Sequence, residues 1–371
     1  MKIYVYPADA DGCGYYRLIW PATALQLKGH DVTIVLPTDR SETADPTLQI
    51  QGDVRNGSEL LDIRYPEDAD VIVLQRVTNH VLCQGVAMMR AKGVAVVVDM
   101  DDDLSAIDPW HIARYALDPR AGRIHSWTNA ERACRDATVV TVSTPPLLRT
   151  YARHGRGIIL PNHVLAEMWD VEPNTETRRF GWTGSLHSHP QDPSVVGPAV
   201  QRLVREGHEF AMIGNTKGVE IPGEGNPTSV REAFGLKEDP WTTGPVAIQD
   251  WAAALTNLYV GMAPLRDTKF NRAKSWLKPL ELAALGIPCV TSPLPEYQRA
   301  HRLGIGVLAA QPRDWYRELR KLLTDETWRQ EVVGRSQEAA AGLILEDHAE
   351  LWLEAWTDAY VLQQRESPAT V

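Results

Sequence analysis

Short apolar runs rich in β-branched residues alternate along the chain with amphipathic helical runs, and this alternation constrains the fold more than any other feature. In the first half we predict strands over 3–6, 31–37, 71–75, 94–99, 138–143 and 157–162. We predict helices over 15–29, 80–91, 124–135 and 145–153. Strands that alternate with helices indicate βαβ units and a parallel sheet. The predicted strands are apolar throughout, as is typical where helices cover both faces of a sheet.

The same alternation restarts after a polar stretch over 166–179, which is predicted to be a linker. Beyond it we predict strands over 180–185, 209–215, 258–264, 288–292 and 306–310, a short strand and helix within 245–257, and helices over 193–207, 275–285, 312–323 and 326–364. The sequence therefore predicts two doubly wound α/β domains, 1–165 and 180–345, with 346–371 forming a C-terminal helix and tail. That terminal helix is a candidate to cross back onto the first domain.

Net charge, cysteine spacing and the length of apolar runs argue against several classes of protein. The chain has 371 residues and a formal net charge of −10, which argues against a protein that coats nucleic acid by bulk charge and leaves a local basic patch for an anion open. Its four cysteines have no C-x-x-C spacing, and they predict buried small residues rather than a disulfide framework or a zinc site. This cysteine usage, and an N-terminal run with no signal-peptide pattern, predict a cytoplasmic protein. No apolar run approaches the ~20 residues of a membrane span, so no stable membrane insertion is expected.

Ligands of open α/β sheets bind beyond the carboxyl ends of the strands, so the loops after predicted strands are the candidate sites. We expect the two domains to face each other across a cleft that these loops line. The first loop carries GCGYYR, residues 12–17. Gly12 and Gly14 would let backbone N–H groups approach an anionic donor at the start of a helix, and the candidate acceptor contacts are Tyr15, Tyr16 and Arg17. Arg17 replaces the third glycine of a G-x-G-x-x-G fingerprint, which weakens a dinucleotide-binding interpretation. The alternative is a plain tight turn with Arg17 on the helix surface.

The second candidate site is DMDDDL, residues 99–104, at the carboxyl end of a predicted strand. Four carboxylates within five residues are costly unless they are solvated, paired or bound to a cation. The four are Asp99, Asp101, Asp102 and Asp103. Three interpretations stay open: a D-x-D site for Mg²⁺ or Mn²⁺, a surface that binds acceptor hydroxyl groups, and an acidic helix N-terminus.

The third candidate site is GWTGSLHSHPQD, residues 181–192, after the first strand of the second domain. Gly184 and Ser185 would form an anion-friendly turn before a predicted helix. His187 and His189 lie two residues apart, but no further His or Cys lies nearby, so no metal site is predicted. A polar contact with the ligand is the functional interpretation of these histidines, and a solvated loop is the alternative.

The fourth candidate site is KFNRAKSWLKPLELAALGIPCV, residues 269–290. Ser275 is predicted to be the N-cap or a first-turn residue of an Ala-rich helix. Lys274 and Lys278 lie four residues apart at its start, where cations oppose the helix dipole unless an anion is also bound. A diphosphate would satisfy both ammonium groups, and Glu281, about one turn further, is an acceptor for two vicinal hydroxyl groups. The pattern predicts a nucleotide sugar with its ribose on Glu281, and a solvated Lys/Glu face is the alternative.

Nearly the whole chain resembles a GT-B glycosyltransferase of the retaining family 4 type, the glycosyl transferases group 1. The most specific part is LYVGMAPLRDTKFNRAKSWLKPLELAALGIPCVTSPLPEY, residues 258–297. It is similar to phage and bacterial versions with N-x-x-K-S, a lysine, then L-E and A-L-G-x-P. The match is supported by GCGYYR, VVVDMDDDL, VSTPPLLRTYARHG, IILPNHV and FGWTGSLHSH. The resemblance implies two Rossmann-like domains, the first for the acceptor and the second for the donor.

The resemblance also implies roles for individual residues. Glu281 matches the second glutamate of the family's Glu-x7-Glu pair, which binds the donor ribose, whereas Ala273 stands where the first is expected. Lys274 and Lys278 would neighbour the diphosphate. DMDDDL occupies the loop that carries a His-Asp pair in many members, which puts the acidic cluster at the sugar pocket. GT-B enzymes usually need no catalytic metal, so no cofactor is expected beyond the nucleotide diphosphate sugar.

The implied function is that of a retaining glycosyltransferase, which moves a sugar from a nucleotide diphosphate sugar to an acceptor hydroxyl group. A nucleotide-sugar 2-epimerase shares the architecture and would use His187 and Asp101 as acid and base. A non-catalytic sugar-nucleotide binding module is a third class, favoured by Ala273. The acceptor is open between a protein, a small molecule and modified DNA, since the predicted helix over 15–29 has too few basic residues for membrane docking. If a phage encodes the chain, the compartment is the host cytoplasm.

Overall fold

The computed structural model describes residues 1–37, 45–121, 126–174, 176–218 and 228–366. The predicted tail over 367–371, the predicted helix start at 124–125 and position 175 of the predicted linker lie outside the described residues. The chain divides into two compact units. Unit 1 comprises Met1–Ala106, Tyr115–Asn162 and Leu345–Val371, and unit 2 comprises Ile107–Arg114 and His163–Ile344.

The regular elements alternate as the sequence predicts. The strands are β1 (Ile3–Tyr6), β2 (Val32–Ile34), β3 (Gln51–Arg55), β4 (Glu59–Arg64), β5 (Val71–Gln75), β6 (Ala95–Met100), β7 (Val139–Val142), β8 (Gly157–Ile159), β9 (Phe180–Ser185), β10 (Phe210–Asn215), β11 (Trp241–Thr242), β12 (Val260–Ala263), β13 (Cys289–Thr291) and β14 (Val307–Leu308). The α-helices are α1 (Gly12–Gly14), α2 (Trp20–Leu27), α3 (His80–Ala91), α4 (Arg114–Leu117), α5 (Trp127–Asp136), α6 (Pro145–Tyr151), α7 (Gly197–Arg205), α8 (Val230–Phe234), α9 (Trp251–Leu255), α10 (Lys269–Arg272), α11 (Leu277–Ala284), α12 (Pro295–Leu303), α13 (Pro312–Thr324), α14 (Glu326–Ala341), α15 (Leu345–His348) and α16 (Glu350–Glu366).

Unit 1 is built around a parallel sheet with the strand order β2-β1-β5-β6-β7-β8. Every residue of β5 and β6 is buried, because α3 and α16 both pack against this part of the sheet. An antiparallel hairpin of β3 and β4, which the sequence analysis did not predict, packs against α3. The parallel order brings the carboxyl ends of β1, β5 and β6 together at one edge.

Unit 2 contains the second parallel sheet, with the strand order β11-β10-β9-β12-β13-β14. Its core includes Trp182, Met212, Met262 and Trp315, all fully buried. The central strand β9 pairs with β10 from Phe180 to Ser185, so the turn after β9 lies at the middle of the sheet edge. The prediction of two doubly wound α/β sheets is confirmed.

The terminal helix α16 packs against β5, β6 and β7 of unit 1. Trp352 Nε1 donates a hydrogen bond of 2.8 Å to the Arg17 carbonyl oxygen. Gln363 Nε2 donates one of 3.0 Å to the Arg90 carbonyl oxygen. The expectation that the terminal helix returns to the first sheet is therefore confirmed.

Several predicted elements differ from the structure. The predicted helix over 15–29 contains a π-helix, Tyr15–Ile19, and Arg17 of this wider turn offers its carbonyl oxygen to Trp352. The predicted helix over 326–364 is divided into α14, α15 and α16, because the chain turns after Ala341 and Ile344 forms a parallel bridge with Val164. The stretch 245–257 contains a 3₁₀ turn and α9 but no strand. The predicted linker contains a 3₁₀ helix, Ala166–Asp170. In the part of the chain that the structure describes, no helix is long and apolar enough to cross a membrane.

Candidate functional site

The carboxyl end of β9 in unit 2 lies against a lysine. Gly184 has a φ of +138°, and a Cβ built at this position would lie 2.8 Å from Nζ of Lys278. A side chain here would therefore displace the ammonium group as well as strain the backbone. Ser185 Oγ donates to Ser188 Oγ at 3.3 Å in the turn that follows. The structure thus brings together Gly184, Ser185 and Lys278, three of the predicted donor-binding residues.

Lys278 lies in the first turn of α11, half-buried above the ring of Trp182 at 5.6 Å. Burial, with a smaller contribution from Lys274, lowers the pKa of Lys278 to about 8, against the opposing effects of Asp192 and Glu281. A partly desolvated ammonium group beside a second cation gains when a bound anion shares both charges. The N-terminus of α11 lies at the same place, and the dipole of a helix favours an anion at its N-terminus.

The start of α11 differs from the prediction in its details. The helix begins at Leu277 with Trp276 as its N-cap, so the prediction that Ser275 is the N-cap or a first-turn residue is wrong. Lys274 lies before the helix, in the segment that follows α10, and does not share a helical face with Lys278. Lys274 Nζ instead lies 4.4 Å from the ring centre of Phe270. The short segment between α10 and α11 separates Lys274 from the helix, and both lysines lie near Asp192.

Glu281 is 3% exposed and lies three residues after Lys278 in α11. Its Oε1 accepts a hydrogen bond of 2.9 Å from Trp251 Nε1, which orients the carboxylate. Ala273, at the position of the missing first glutamate, is 2% exposed. The acidic group that remains at this helix is therefore Glu281, held by a tryptophan from α9.

A buried aspartate that the sequence analysis did not single out connects three segments of unit 2. Asp192 is 2% exposed. Its Oδ1 accepts from the Arg266 backbone N–H at 2.8 Å and from Asn271 Nδ2 at 2.7 Å, and its Oδ2 contacts His189 Nδ1 at 2.7 Å. Burial raises the pKa of Asp192 to about 6 against the opposing effects of these hydrogen bonds, Lys278 and Lys274. The spacing His-x-x-Asp was the signal available in the sequence.

The two histidines of this loop have different surroundings. His189 pairs with Asp192, whereas His187 is half-buried and burial lowers its pKa. The His187 carbonyl oxygen accepts from the Ile112 backbone N–H at 3.1 Å, which anchors the segment Ile107–Arg114 to unit 2. Among the described residues, no group of three or more His, Cys, Asp or Glu side chains is arranged to hold a metal ion.

In unit 1, the structure separates the members of the acidic cluster. Asp99 is fully buried and binds Arg17, through Oδ1 to Nε at 3.1 Å and Oδ2 to Nη2 at 2.8 Å. Arg17 is 1% exposed and also donates to Asn162 Oδ1 at 2.8 Å. Thr141 Oγ1 donates to the same carboxylate at 2.7 Å. This buried ion pair joins the π-helix to β6 and β7, and it leaves Arg17 and Asp99 no exposed surface from which to contact an acceptor.

Asp101 is held by an arginine that the sequence analysis missed. Arg76 follows β5, and its Nε and Nη2 each donate to the Asp101 carboxylate at 2.5 Å. Asp9, after β1, contacts Arg76 Nη1 at 3.4 Å. Burial alone would raise the pKa of Asp101, but Arg76 holds the pKa of this carboxyl group well below its usual range. Arg76 has a φ of +48°, a backbone strain that clusters at functional sites, so this charged edge is a second candidate surface.

The remaining predicted residues of unit 1 lie around this edge. Asp103 is 2% exposed and accepts from Ser105 Oγ, while Asp102 is half-buried. Tyr16 is buried against Trp20, and Tyr15 is half-buried. Gly14 donates its N–H to Asp9 Oδ1 at 2.9 Å, and a Cβ there would lie 1.9 Å from the Asp9 carbonyl oxygen. Gly14 therefore fits the tight-turn interpretation, whereas a Cβ on Gly12 would meet nothing within 4 Å.

Comparison with known proteins gives structural but no sequence relatives. No protein-family model matches the chain, and no curated protein matches it. A sucrose-phosphate synthase from Thermosynechococcus elongatus is similar over 97% of this chain and 100% of its own, with 11% identity and a TM-score of 0.62. The catalytic domain of starch synthase IV from Arabidopsis thaliana, bound to ADP and acarbose, is similar over 97% and 99%, with 11% identity and a TM-score of 0.61. Anabaena HepE in complex with UDP is similar over 96% and 100%, with 12% identity and a TM-score of 0.59. The chain has the fold of these proteins, the GT-B fold.

Proposed function

We propose that this GT-B chain is a glycosyltransferase that moves a sugar from a nucleotide diphosphate sugar to an acceptor hydroxyl group with retention of configuration. The observation that carries the proposal is the group formed by Gly184, Lys278 and Glu281 at the carboxyl edge of the second sheet. A glycine at the end of a strand, a desolvated ammonium group and a buried, oriented carboxylate suit a ligand with phosphates at one end and a diol at the other. HepE and starch synthase IV, which share the fold, were solved with UDP and ADP, which supports this ligand class.

In the proposed donor complex, unit 2 holds the nucleotide sugar. Lys278 and Lys274 bind the diphosphate at the N-terminus of α11, and Glu281 accepts hydrogen bonds from the ribose hydroxyl groups. The bond from the anomeric carbon to the diphosphate oxygen breaks, and the negative charge that develops on that oxygen is stabilised by the two ammonium groups. Because these groups are fixed before the reaction, they need little reorganisation as the charge develops.

Unit 1 supplies the acceptor side of the proposed reaction. The acceptor hydroxyl oxygen bonds to the anomeric carbon on the face that the diphosphate leaves, and its proton passes to the departing phosphate oxygen. Asp101 and Asp102 are the members of the acidic cluster that keep some exposure, so we retain them as the groups that orient the acceptor. Asp99, Asp103 and Arg17 are buried and support the loop instead.

The proposal includes two further properties. Sugar transfer needs no metal, since lysines and the start of α11 neutralise the diphosphate. The protein acts in the cytoplasm, which is supported by the free thiols of Cys13, Cys83, Cys134 and Cys289. A nucleotide-sugar 2-epimerase is the second candidate, because His187 lies beside the donor turn and burial lowers its pKa, which favours the neutral imidazole that can act as a base.

One experiment separates these functions. UDP-glucose, ADP-glucose and GDP-mannose are first screened for thermal stabilisation of the protein, and the best ligand is then incubated without an acceptor. A new sugar nucleotide formed under these conditions would favour the epimerase, whereas transfer to an added acceptor, with the anomeric configuration read by NMR, tests the transferase. Lys278→Ala should abolish the stabilisation, and Lys237→Ala, the same change at an exposed position of unit 2, should not. Absence of binding for all three ligands would contradict the proposed donor site.

A further inference from the structure

Asp192 is a buried acidic residue close to Lys274 and Lys278, the two lysines that are proposed to bind a diphosphate. It is 2% exposed, and it is the acceptor for three hydrogen-bonding groups from the turn after β9, the loop after β12 and α10. The charged or titratable groups that face it are His189 of the same turn, Lys274 before α11, Lys278 of α11 and Tyr297 of α12. Without a ligand, its negative charge offsets one of the two positive charges of Lys274 and Lys278.

A bound diphosphate would change this balance. The diphosphate of a nucleotide sugar carries two negative charges and would use the same two lysines. Its charge would add to that of Asp192, which water cannot screen because the carboxylate is buried. When two negatively charged groups share one pair of cations, their repulsion favours the binding of a proton to the group that can accept it.

We propose that the His189–Asp192 pair is the internal counter-ion of Lys274 and Lys278 and takes up one proton from solvent when a nucleotide diphosphate sugar binds. The inference rests on the proposed donor site. The proton converts the pair from a net charge of −1 to zero, and no covalent bond changes. By linkage, a ligand that promotes proton uptake binds more tightly as the pH falls.

The hydrogen bonds of the cluster can accommodate that proton. His189 Nδ1 already contacts Asp192 Oδ2, so a protonated imidazole would form an ion pair without movement of the chain. Asn271 Oδ1 is buried and has no hydrogen-bond partner. Asn271 Nδ2 donates both to Asp192 Oδ1 and to the Arg266 carbonyl oxygen at 3.0 Å, which fixes the orientation of this amide and leaves the His189–Asp192 hydrogen bond as the place for the proton.

The pH window follows from the two titrating groups. Burial raises the pKa of Asp192 to about 6 in the free protein, so uptake on binding should be largest just above this pH. Lys278, whose pKa burial lowers to about 8, is only about 3% neutral at pH 6.5 and contributes little there. If binding raises the pKa of the pair from about 6 to about 7, uptake at pH 6.5 is about half a proton per ligand.

Isothermal titration calorimetry at pH 6.5 in MES and in bis-tris measures this uptake, because the two buffers release a proton with different enthalpies. UDP-glucose, ADP-glucose and GDP-mannose are the probes, since their diphosphates, unlike that of free UDP, have no proton to exchange at this pH. We expect an observed enthalpy that differs between the buffers for wild type. In Asp192→Asn the difference should vanish, and affinity at pH 7.5 should be equal or higher because a negative charge is gone. A merely structural role for Asp192 would instead weaken binding.

The controls make each outcome decisive. Asp239→Asn, the same change at an exposed position of unit 2, should keep the wild-type buffer dependence. His189→Gln provides a second variant of the pair and should also lose the uptake. Two results would overturn the inference without contradicting the donor site. The first is wild-type binding with equal enthalpies in both buffers. The second is proton uptake that persists in Asp192→Asn or in His189→Gln. Absence of binding by all three nucleotide sugars would overturn the donor site itself.

Discussion

Raising the pH from 7 to 9 should weaken the binding of a nucleotide sugar to the wild-type protein, because Lys278 loses its charge within this range. Burial lowers the pKa of Lys278 to about 8, and Lys274 adds to that effect while Asp192 and Glu281 oppose it. The side chain is therefore roughly 90% protonated at pH 7 and roughly 10% at pH 9. Affinity that depends on this one positive charge should fall about tenfold over the range.

Calorimetric titration with the best of the three nucleotide sugars measures the effect. Lys278→Arg is the matched variant, because a guanidinium group stays protonated over the whole range. Ionisation of the nucleotide base would affect both proteins equally, so the difference between the two pH profiles isolates Lys278. Parallel profiles would refute the reasoning, since the ammonium group would then not contact the diphosphate or not titrate between these pH values.

The stability of the free protein should respond in the opposite direction. Since the folded-state pKa of Lys278 lies below its ordinary value of 10.5, the folded protein binds fewer protons than the unfolded chain between pH 8 and 10.5. The contribution of Lys278 to the free energy of unfolding therefore rises with pH in that window. Opposite pH trends for affinity and stability would be difficult to obtain from general alkaline unfolding.

Three further outcomes are expected. Glu281→Gln keeps an oxygen for Trp251 but removes the charge, so affinity for the nucleotide sugar should fall by about tenfold or more. Affinity for inorganic pyrophosphate, which lacks a ribose, should not fall, because the change removes a negative charge near Lys278. Equal losses for both ligands in titration would refute the ribose assignment. Asp99→Asn weakens the partner of buried Arg17 and should lower the free energy of unfolding in urea by about 3–5 kcal/mol, whereas Asp102→Asn in the same loop should cost roughly 1 kcal/mol or less. Sugar transfer should survive EDTA, and activity that is lost with EDTA and restored by Mn²⁺ would show that the acidic cluster is a metal site.

The strands of the two sheets were predictable because of how they are buried. A strand covered on both faces is apolar over most of its length, and β5 and β9 have the predicted bounds. The exposed hairpin of β3 and β4 has no such signal, since every residue of β3 is exposed. The π-helix was also beyond prediction, because the partner of its Arg17 carbonyl oxygen is Trp352, 335 positions away.

The residues of the candidate site also differ in whether the sequence alone predicts their role. Lys278 and Glu281 belong to one helix, so their spacing predicts that they lie together, and the structure places both in α11. Asp192 and Arg76 owe their significance to partners from distant segments, such as Asn271, 79 positions away. DMDDDL looks uniform as a sequence, yet Asp99 points into the core at the end of β6 and Asp101 pairs at the edge. Only the packing around the strand end distinguishes these carboxylates.

The return of α16 to unit 1 has a consequence for how the protein forms during synthesis. Unit 2 is almost one continuous segment, His163–Ile344, and can complete its sheet as soon as that segment has left the ribosome. Unit 1 is begun first but lacks the helix that covers β5, β6 and β7 until Glu366 has emerged. At roughly 5–20 residues per second, the first sheet waits on the order of 10–40 s for that cover. The half of the protein that is translated first is therefore the half that finishes folding last, and its uncovered apolar face is the natural target for a chaperone.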